Sequence, residues 1–325
     1  MPFPTSVVIP THNRPDGVAE TLRHLLEAGS SSQFEVVVVD DGSNPPLSLD
    51  LTAGVRIVRT PGIERSRARN LGAATATGSL VIFLDDDNTV SPDFVGAHER
   101  AAKEFGNVIG VGGISAQAEM ARSPFGRFRW LIEGPSQIHP RGFVAQKNFC
   151  TAANMSMRRE TFLSLGGFDP AIVSSEDQDL ALRFSDRGGK LVFVPEATVL
   201  HRDSNSDLAS YCRRHEWGAR AMAPFIRRYP DWADNKPRVR FERGFGGAHT
   251  VGEQSAFLVR LALSQPALVR ILLRSAAACE RAGCGDRLLF PVYHVLLGLH
   301  LFRGFREGLS QVKAAPALPA KIEAA

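Results

Sequence analysis

Over its first two hundred residues the chain alternates short apolar runs with segments of helical spacing, and each apolar run stops at a polar or acidic turn. Ser6-Val7-Val8-Ile9-Pro10 gives way to Thr11-His12-Asn13-Arg14-Pro15. Phe34–Val39 ends in Asp40-Asp41-Gly42-Ser43, and Leu80–Leu84 ends in Asp85-Asp86-Asp87. Val55–Arg59 supplies a further run. Apolar runs without polar alternation belong to strands covered on both faces. Between them, Asp16–Ala28 places Val18, Leu22, Leu25 and Leu26 on one helical face, and Ser66–Thr75 reads as a second helix. Strands alternating with helices predict an α/β fold with a mostly parallel sheet. Ligands of such sheets sit beyond the carboxyl ends of the strands, which is where the acidic clusters fall.

The pattern loosens in the middle of the chain. Val108–Ile114 is a predicted strand, and 117–142 reads as a long loop with a short helix around Phe128. Phe149–Met157 is strand-like, Arg159–Leu165 and Asp177–Arg187 are predicted helices, and Leu191–Val194 and Ala197–His201 are two further strands. From Leu208 onward only helical segments remain: Tyr211–Arg228, Ala256–Arg274 interrupted at Pro266, and Leu288–Phe305. The longest nearly uncharged run, Leu288–Phe302, falls short of the roughly 20 apolar residues a bilayer span requires. The Ala/Pro tail from Ala314 to Ala325 is expected to be disordered. This gives three parts: 1–115 and 116–205 as two halves of one α/β domain, and 206–325 as a helical C-terminal extension.

Charge divides along the same line. Residues 1–205 carry 20 Lys plus Arg against 24 Asp plus Glu, whereas 206–325 carry 18 against 10. The acidic part suits a cation. The basic part suits phosphates, and an anionic membrane surface is one candidate partner for it, with packing on the α/β domain or pairing in a dimer as the alternative; nucleic acid is not an expected partner. Cys150, Cys212, Cys279 and Cys284 are too scattered for a disulfide framework and are expected to be reduced, as in the cytoplasm.

Three consecutive carboxylates after a buried strand repel one another unless something compensates them. A hard divalent cation, Mn²⁺ or Mg²⁺, does so with one or two carboxylates and substrate phosphates; a solvated acidic turn is the alternative. Asp40 and Asp41 suit a base or ribose, or else a turn. Arg65, Arg67 and Arg69 suit a diphosphate, or a solvated helical turn. Glu176 and Asp177 open a helix, where carboxylates cap and complement the dipole; they also suit a general base. His201, at a strand end, is a structural histidine or a metal or phosphate ligand. No phosphate-binding P-loop and no dinucleotide glycine fingerprint occurs.

Taken in order, seven segments resemble the family 2 glycosyltransferases of the GT-A fold, covering about residues 5–205. They are Val7–Arg14, Val37–Ser43, Ala68-Arg69-Asn70-Leu71-Gly72, Phe83–Asp87, Ala153–Arg159, Gly166-Gly167-Phe168-Asp169 and Glu176–Leu180. The resemblance implies a nucleoside-diphosphate sugar as donor, and a glycan or lipid-linked hydroxyl as acceptor. It implies nucleotide contacts from the first strand and loop (Pro10, Thr11, Asn13, Arg14), from Asp40 or Asp41, and from Arg65, Arg69 and Asn154. Asp85 or Asp86 would meet the ribose. Asp87, with Asp85 and His201, would bind the metal, and Asp177, beside Glu176, would be the catalytic base. Pro61 departs from the family, whose members often carry a polar residue there. The implied reaction is a single displacement with inversion, in cell-envelope polysaccharide or glycolipid synthesis, by a cytoplasmic enzyme peripheral to the plasma membrane. A sugar-phosphate nucleotidyltransferase is the competing reading.

Overall fold

The computed structural model describes residues 4–28, 33–49, 54–116, 122–133, 139–202, 207–231 and 251–314. They fall into two compact units, Met1–Ser204 and Asn205–Ala325.

The first unit is built on a nine-stranded sheet. Strands β1 (Thr5–Thr11), β2 (Phe34–Asp41), β3 (Val55–Thr60) and β4 (Leu80–Leu84) pair in parallel in the order β3-β2-β1-β4. The crossovers carry helices α1 (Pro15–Ala28) and α2 (Arg65–Thr75). Beyond β4 the sheet becomes mixed. The strand β8 (Asn154–Arg158) runs antiparallel to both β4 and β6 (Val108–Ala116). The strand β9 (Lys190–His201) pairs parallel with β6 and antiparallel with the short β5 (Asn88–Val90) and β7 (Gly142–Val144).

Successive side chains of a strand point to opposite faces, and the β1 run is apolar on both. Val7 and Ile9 join Val18, Leu22 and Leu25 of α1 in one core, together with residues of α3 (Phe94–Phe105). Val8 faces the other way, into a core with Ala68 of α2, Phe162 of α5 (Arg159–Ser164), and Leu180 and Phe184 of α6 (Glu176–Asp186). Phe83, Phe162 and Phe168 pack ring to ring at 4.9–5.2 Å in that second core.

Several boundaries differ from expectation. Leu191–Val194 and Ala197–His201 form one strand, β9, because its register on β6 shifts between Gly112 and Ile114 and absorbs the intervening Pro195 and Glu196. The strand-like segment from Phe149 shortens to β8. Helix α3, strand β5 and strand β7 are additions; α3 carries a buried stripe of Phe94, Ala97, His98 and Ala101. The expected short helix is α4 (Pro124–Glu133), while residues 117–121 and 134–138 of the same stretch lie outside the described residues.

The second unit is helical among its described residues: α7 (Leu208–Ala221), α8 (Ala223–Arg228), α9 (Val251–Leu263), α10 (Pro266–Arg281) and α11 (Asp286–Ala314). Pro266 splits the expected Ala256–Arg274 helix into α9 and α10, as a proline at the first helical position does. Helix α11 runs through Pro291 and packs along α7. A Cβ on Gly304 would lie 2.1 Å from the Glu216 carbonyl oxygen, so the two helices approach at a distance only glycine permits there. By length and composition Asp286–Val312 passes for a membrane-crossing helix, with mean hydropathy 1.4 in its most apolar window, but half of that window is buried inside the unit. Apart from Ala314, which ends α11, the tail expected to be disordered lies outside the described residues.

Candidate active site

The carboxyl ends of β1, β2 and β4 carry the polar groups the alternation placed there. The acidic triplet leaves the end of β4 and enters a turn at Asp86 and Asp87, so its members diverge. Asp85, in phase with Phe83, turns towards α2 and α6. Asp86, in phase with Leu84, turns towards α1. Asp87 meets the end of β9.

On the α1 side, Thr11 Oγ1 donates to Asp86 Oδ2 at 2.7 Å. Arg14 Nη1 bridges Asp86 Oδ1 at 2.9 Å and Asp87 Oδ2 at 2.8 Å. Burial raises the Asp86 pKa, and the neighbouring carboxylates add to this against the opposing pull of Thr11 and Arg14. Asp87 goes the other way. Its burial is overridden by His201 and Arg14, which hold it down to about 2. His201 Nε2 lies 3.2 Å from Asp87 Oδ1. The backbone N–H of Arg202 donates to the Asp87 carbonyl oxygen at 2.8 Å and fixes the turn against β9.

On the α2 and α6 side, Arg69 is a buried guanidinium clamped between two carboxylates. Nη2 donates to Asp85 Oδ1 at 2.5 Å, and Nη1 donates to Glu176 Oε1 at 2.9 Å. Arg65 is exposed one helical turn earlier and reaches the same Glu176 oxygen at 3.5 Å. Asp177 follows Glu176 at the start of α6, directly after Ser175, whose positive φ of 70° sets the entry to the helix. The Asp177 carboxylate accepts backbone N–H bonds from Ala152 at 3.1 Å and from Gln178 at 2.7 Å, and it remains half-buried. Burial, with the Glu176 charge beside it, pushes its pKa up to about 6, against the two backbone donors and Arg69.

Four expected site residues have other work. Asp40 is buried and accepts from the Ser43 and Leu47 N–H groups and from Arg59 at 2.7 Å, so it holds the turn and leaves no face for a base. Asp41 is the more accessible of the pair; one of its oxygens, Oδ1, takes Thr60 Oγ1 at 2.5 Å and the Ile63 N–H at 2.7 Å. Pro10 is buried within β1, paired with Val39. Arg69 is spent on Asp85 and Glu176 and lies too deep for a diphosphate; Arg67 is solvent-exposed. Asn154 is fully buried in the sheet. Its Nδ2 donates to the carbonyl oxygens of Gly113 at 2.9 Å and Ala197 at 2.7 Å, and its Oδ1 faces His98 Nε2 at 3.1 Å. A Cβ on Gly112 would lie 2.1 Å from the Ala197 oxygen and 2.3 Å from Asn154 Nδ2, which accounts for the glycines of the Gly110–Gly113 segment that matched no nucleotide fingerprint. Replacing Asn154 with alanine strands two buried carbonyls and is expected to cost about 2–5 kcal/mol. Chemical denaturation of the variant measures it.

Asn13 adopts φ 54° and ties the first loop to the second. Its N–H donates to Ser43 Oγ at 2.9 Å, and its Oδ1 accepts the Asn44 N–H at 2.7 Å. His12 Nδ1 contacts the Asp41 carbonyl oxygen at 2.8 Å. The motifs contain His12 and Ser43 without assigning them this bracing role, and they omit Arg59 and Thr60. Their only sequence signal is position, on or beside the strand ends.

Among the described residues no group of three His, Cys, Asp or Glu side chains gathers as a metal cage. Asp85 therefore does not join Asp87 and His201: its carboxylate is paired with Arg69. Asp87 and His201 do fit a partial site. Asp87 Oδ1 is buried and accepts no hydrogen bond among the described residues. It sits beside an imidazole nitrogen, and a hard cation that keeps most of its shell for phosphate and water needs only such a pair from the protein.

Residues 6–166 match the glycosyl transferase family 2. The chain carries a family 2 glycosyltransferase domain. It is 28% identical over 239 residues to the pre-mycofactocin glycosyltransferase of Mycobacterium tuberculosis, spanning 70% of this chain but only 48% of that relative. It is also 28% identical over 316 residues to the succinoglycan biosynthesis protein ExoO of Rhizobium meliloti, spanning 88% of each chain. Among solved structures it resembles the mannosyltransferase PcManGT of Pyrobaculum calidifontis, in complex with GDP-Man and Mn²⁺. The TM-score is 0.54 at 17% identity, with 93% of this chain and 87% of that one covered. The family 2 domain thus has the GT-A fold, a mixed α/β sheet, and a helical C-terminal part follows it.

Proposed function

We propose that the protein is an inverting glycosyltransferase that moves a sugar from a nucleoside-diphosphate sugar to a hydroxyl acceptor. The observation that carries this reading is the pair of sites joined through Arg69. One buried guanidinium pairs the acidic strand end, at Asp85, with Glu176, the neighbour of a half-buried carboxylate of raised proton affinity, Asp177.

Asp177 is the catalytic base. Two backbone N–H groups fix its orientation, and Oδ1 or Oδ2 accepts the acceptor proton as the acceptor oxygen attacks the anomeric carbon. The nucleoside diphosphate leaves from the opposite face, which inverts the configuration and needs no covalent sugar–enzyme intermediate. Glu176, held by Arg69, keeps a negative charge beside Asp177 and so raises its affinity for the proton. The nucleotide lies across the loops after β1 and β2, with Thr11, Asn13, Arg14 and Asp41 along them. Arg65, exposed beside Glu176, faces the diphosphate. Asp87 and His201 would hold a Mn²⁺ or Mg²⁺ ion, which would supply positive charge to offset that of the diphosphate. The solved mannosyltransferase with Mn²⁺ supports that assignment.

The succinoglycan relative supports an acceptor that is a growing glycan or a lipid-linked sugar in cell-envelope synthesis. The four free cysteines fit a reducing, cytoplasmic setting.

The test is to screen nucleoside-diphosphate sugars for stabilisation of the chain with Mn²⁺ present, then to follow nucleoside diphosphate release with candidate acceptors. Pyrophosphate release from a nucleoside triphosphate and a sugar phosphate would instead establish a nucleotidyltransferase.

The pH profile has a defined sign. A base works only when ionised, so kcat/KM is expected to be level above about pH 6 and to fall about tenfold per unit below it. Stability runs against activity. The Asp177 pKa is raised on folding, so the stabilisation from its protonated form is fully present below the unfolded value near 4 and is lost as the pH rises through about 6. Initial-rate profiles and thermal melts over the same range check both.

A further inference from the structure

Helices of a folded unit turn their apolar stripe inward and their polar stripe to water. Helix α9 carries apolar side chains outward as well. Ser255, Leu258, Val259, Ala262 and Leu263 share one helical face by spacing, and that face is exposed: Leu258 is 51% accessible, Val259 57% and Leu263 38%. The helix is attached through Phe257, whose ring lies edge-on to Phe302 of α11 at 5.5 Å.

Helix α10 buries Val269 and Ala276. Its outer face carries Leu268 and Ile271, 40% and 56% accessible, beside exposed arginines on one face, Arg270 and Arg274 one turn apart and Arg281 two turns further on. From 255 to 281 there are four arginines and one carboxylate, Glu280. Glu280 is directed away from that row, since its Oε1 accepts the Tyr293 hydroxyl of α11. The two helices meet at a 75° bend.

We propose that the outer faces of α9 and α10 form a docking surface for an anionic lipid bilayer. The stripe Leu258, Val259, Leu263, Leu268 and Ile271 enters the boundary between headgroups and acyl chains, and Arg270, Arg274 and Arg281 sit at the lipid phosphates. A basic face flanking an apolar stripe is the pattern of a helix lying in the membrane plane. Charge selects this occupant over the others. A second copy would set arginine rows against each other, in a part of the chain with 18 basic and 10 acidic residues. A soluble polyanion would satisfy the arginines but leave the apolar stripe wet. The surface does not depend on which sugar or acceptor the first unit takes.

The test is flotation of the full chain with vesicles of phosphatidylcholine alone and of phosphatidylcholine with phosphatidylglycerol. The chain is expected to float with the anionic vesicles only, and less as salt is raised. The double variant Arg270→Glu/Arg274→Glu is expected to lower partitioning by roughly 30-fold or more, and Arg270→Lys/Arg274→Lys to retain it. Val259→Asp and Ile271→Asp are expected to lose flotation while melting at the wild-type temperature, since both side chains are already in water. Absence of the wild-type chain from both floating fractions overturns the proposal. So does undiminished flotation of the charge-reversed and aspartate variants, or binding to heparin without binding to vesicles.

Discussion

Asp177→Asn is expected to lower kcat by about 10²–10⁴-fold while leaving the affinity for the nucleotide donor nearly unchanged. Asparagine keeps the size of the side chain, but its single carbonyl oxygen can accept only one of the Ala152 and Gln178 N–H bonds, which the carboxylate takes on separate oxygens. What it cannot do is take a proton. The acceptor hydroxyl must lose that proton in the transition state, so the loss appears in turnover and not in donor binding. The substitution also removes a partly buried carboxyl whose ionised form is disfavoured, which offsets the one backbone acceptor lost. Single-turnover rates, with donor binding followed by calorimetry, separate the two effects. A fall in donor affinity that matched the fall in rate would make Asp177 a donor ligand and remove it as the base.

Asp87→Ala is expected to abolish Mn²⁺-dependent donor binding and to lower turnover by about 10²–10³-fold or more. The carboxylate sits between Arg14, at 2.8 Å from one oxygen, and His201, at 3.2 Å from the other. Its removal leaves His201 as a single protein donor for a cation. It also leaves Arg14 paired with Asp86 alone, as a guanidinium and not a site. The fold should survive, because Arg14 is well exposed and the turn is still held by the Arg202 N–H on the residue 87 carbonyl oxygen. Calorimetric titration of Mn²⁺ with a nucleoside diphosphate, beside a thermal melt, provides the check. Undiminished donor binding and turnover in the variant, or full wild-type activity in excess chelator, would remove the metal role.

Much of the first unit is legible from residue order, because its constraints are local. An unbroken apolar run such as Val36–Val39 has to be covered on both faces, and a carboxylate cluster after it has to face solvent or a ligand at the strand end. Those two facts lead to the parallel β3-β2-β1-β4 half, to helices α1 and α2, and to the side of the sheet on which Asp41, Asp85–Asp87, Glu176 and Asp177 meet. The second half of the sheet was less legible. Strand β9 continues through Pro195 and Glu196, a break in the apolar pattern that pairing with β6 and β5 overrides.

The roles of individual side chains were decided in three dimensions. Asn154 and Asp40 belong to motifs that read as nucleotide contacts, yet each is consumed by buried backbone groups, because a polar side chain inside a sheet must satisfy its neighbours before anything else. Arg69 reads as a phosphate ligand and is instead a counter-ion, since two carboxylates from distant segments converge on it.

The residue order by itself determined that acidic groups would gather beyond the strand ends of an α/β sheet, and that a basic helical part would follow. Only the tertiary structure decided which carboxylate does what. Three adjacent aspartates are chemically identical in sequence, but the strand end and the turn after it direct Asp85 to Arg69, Asp86 to Thr11 and Arg14, and Asp87 to His201. The residues that distinguish them lie between 16 and 114 positions away along the chain.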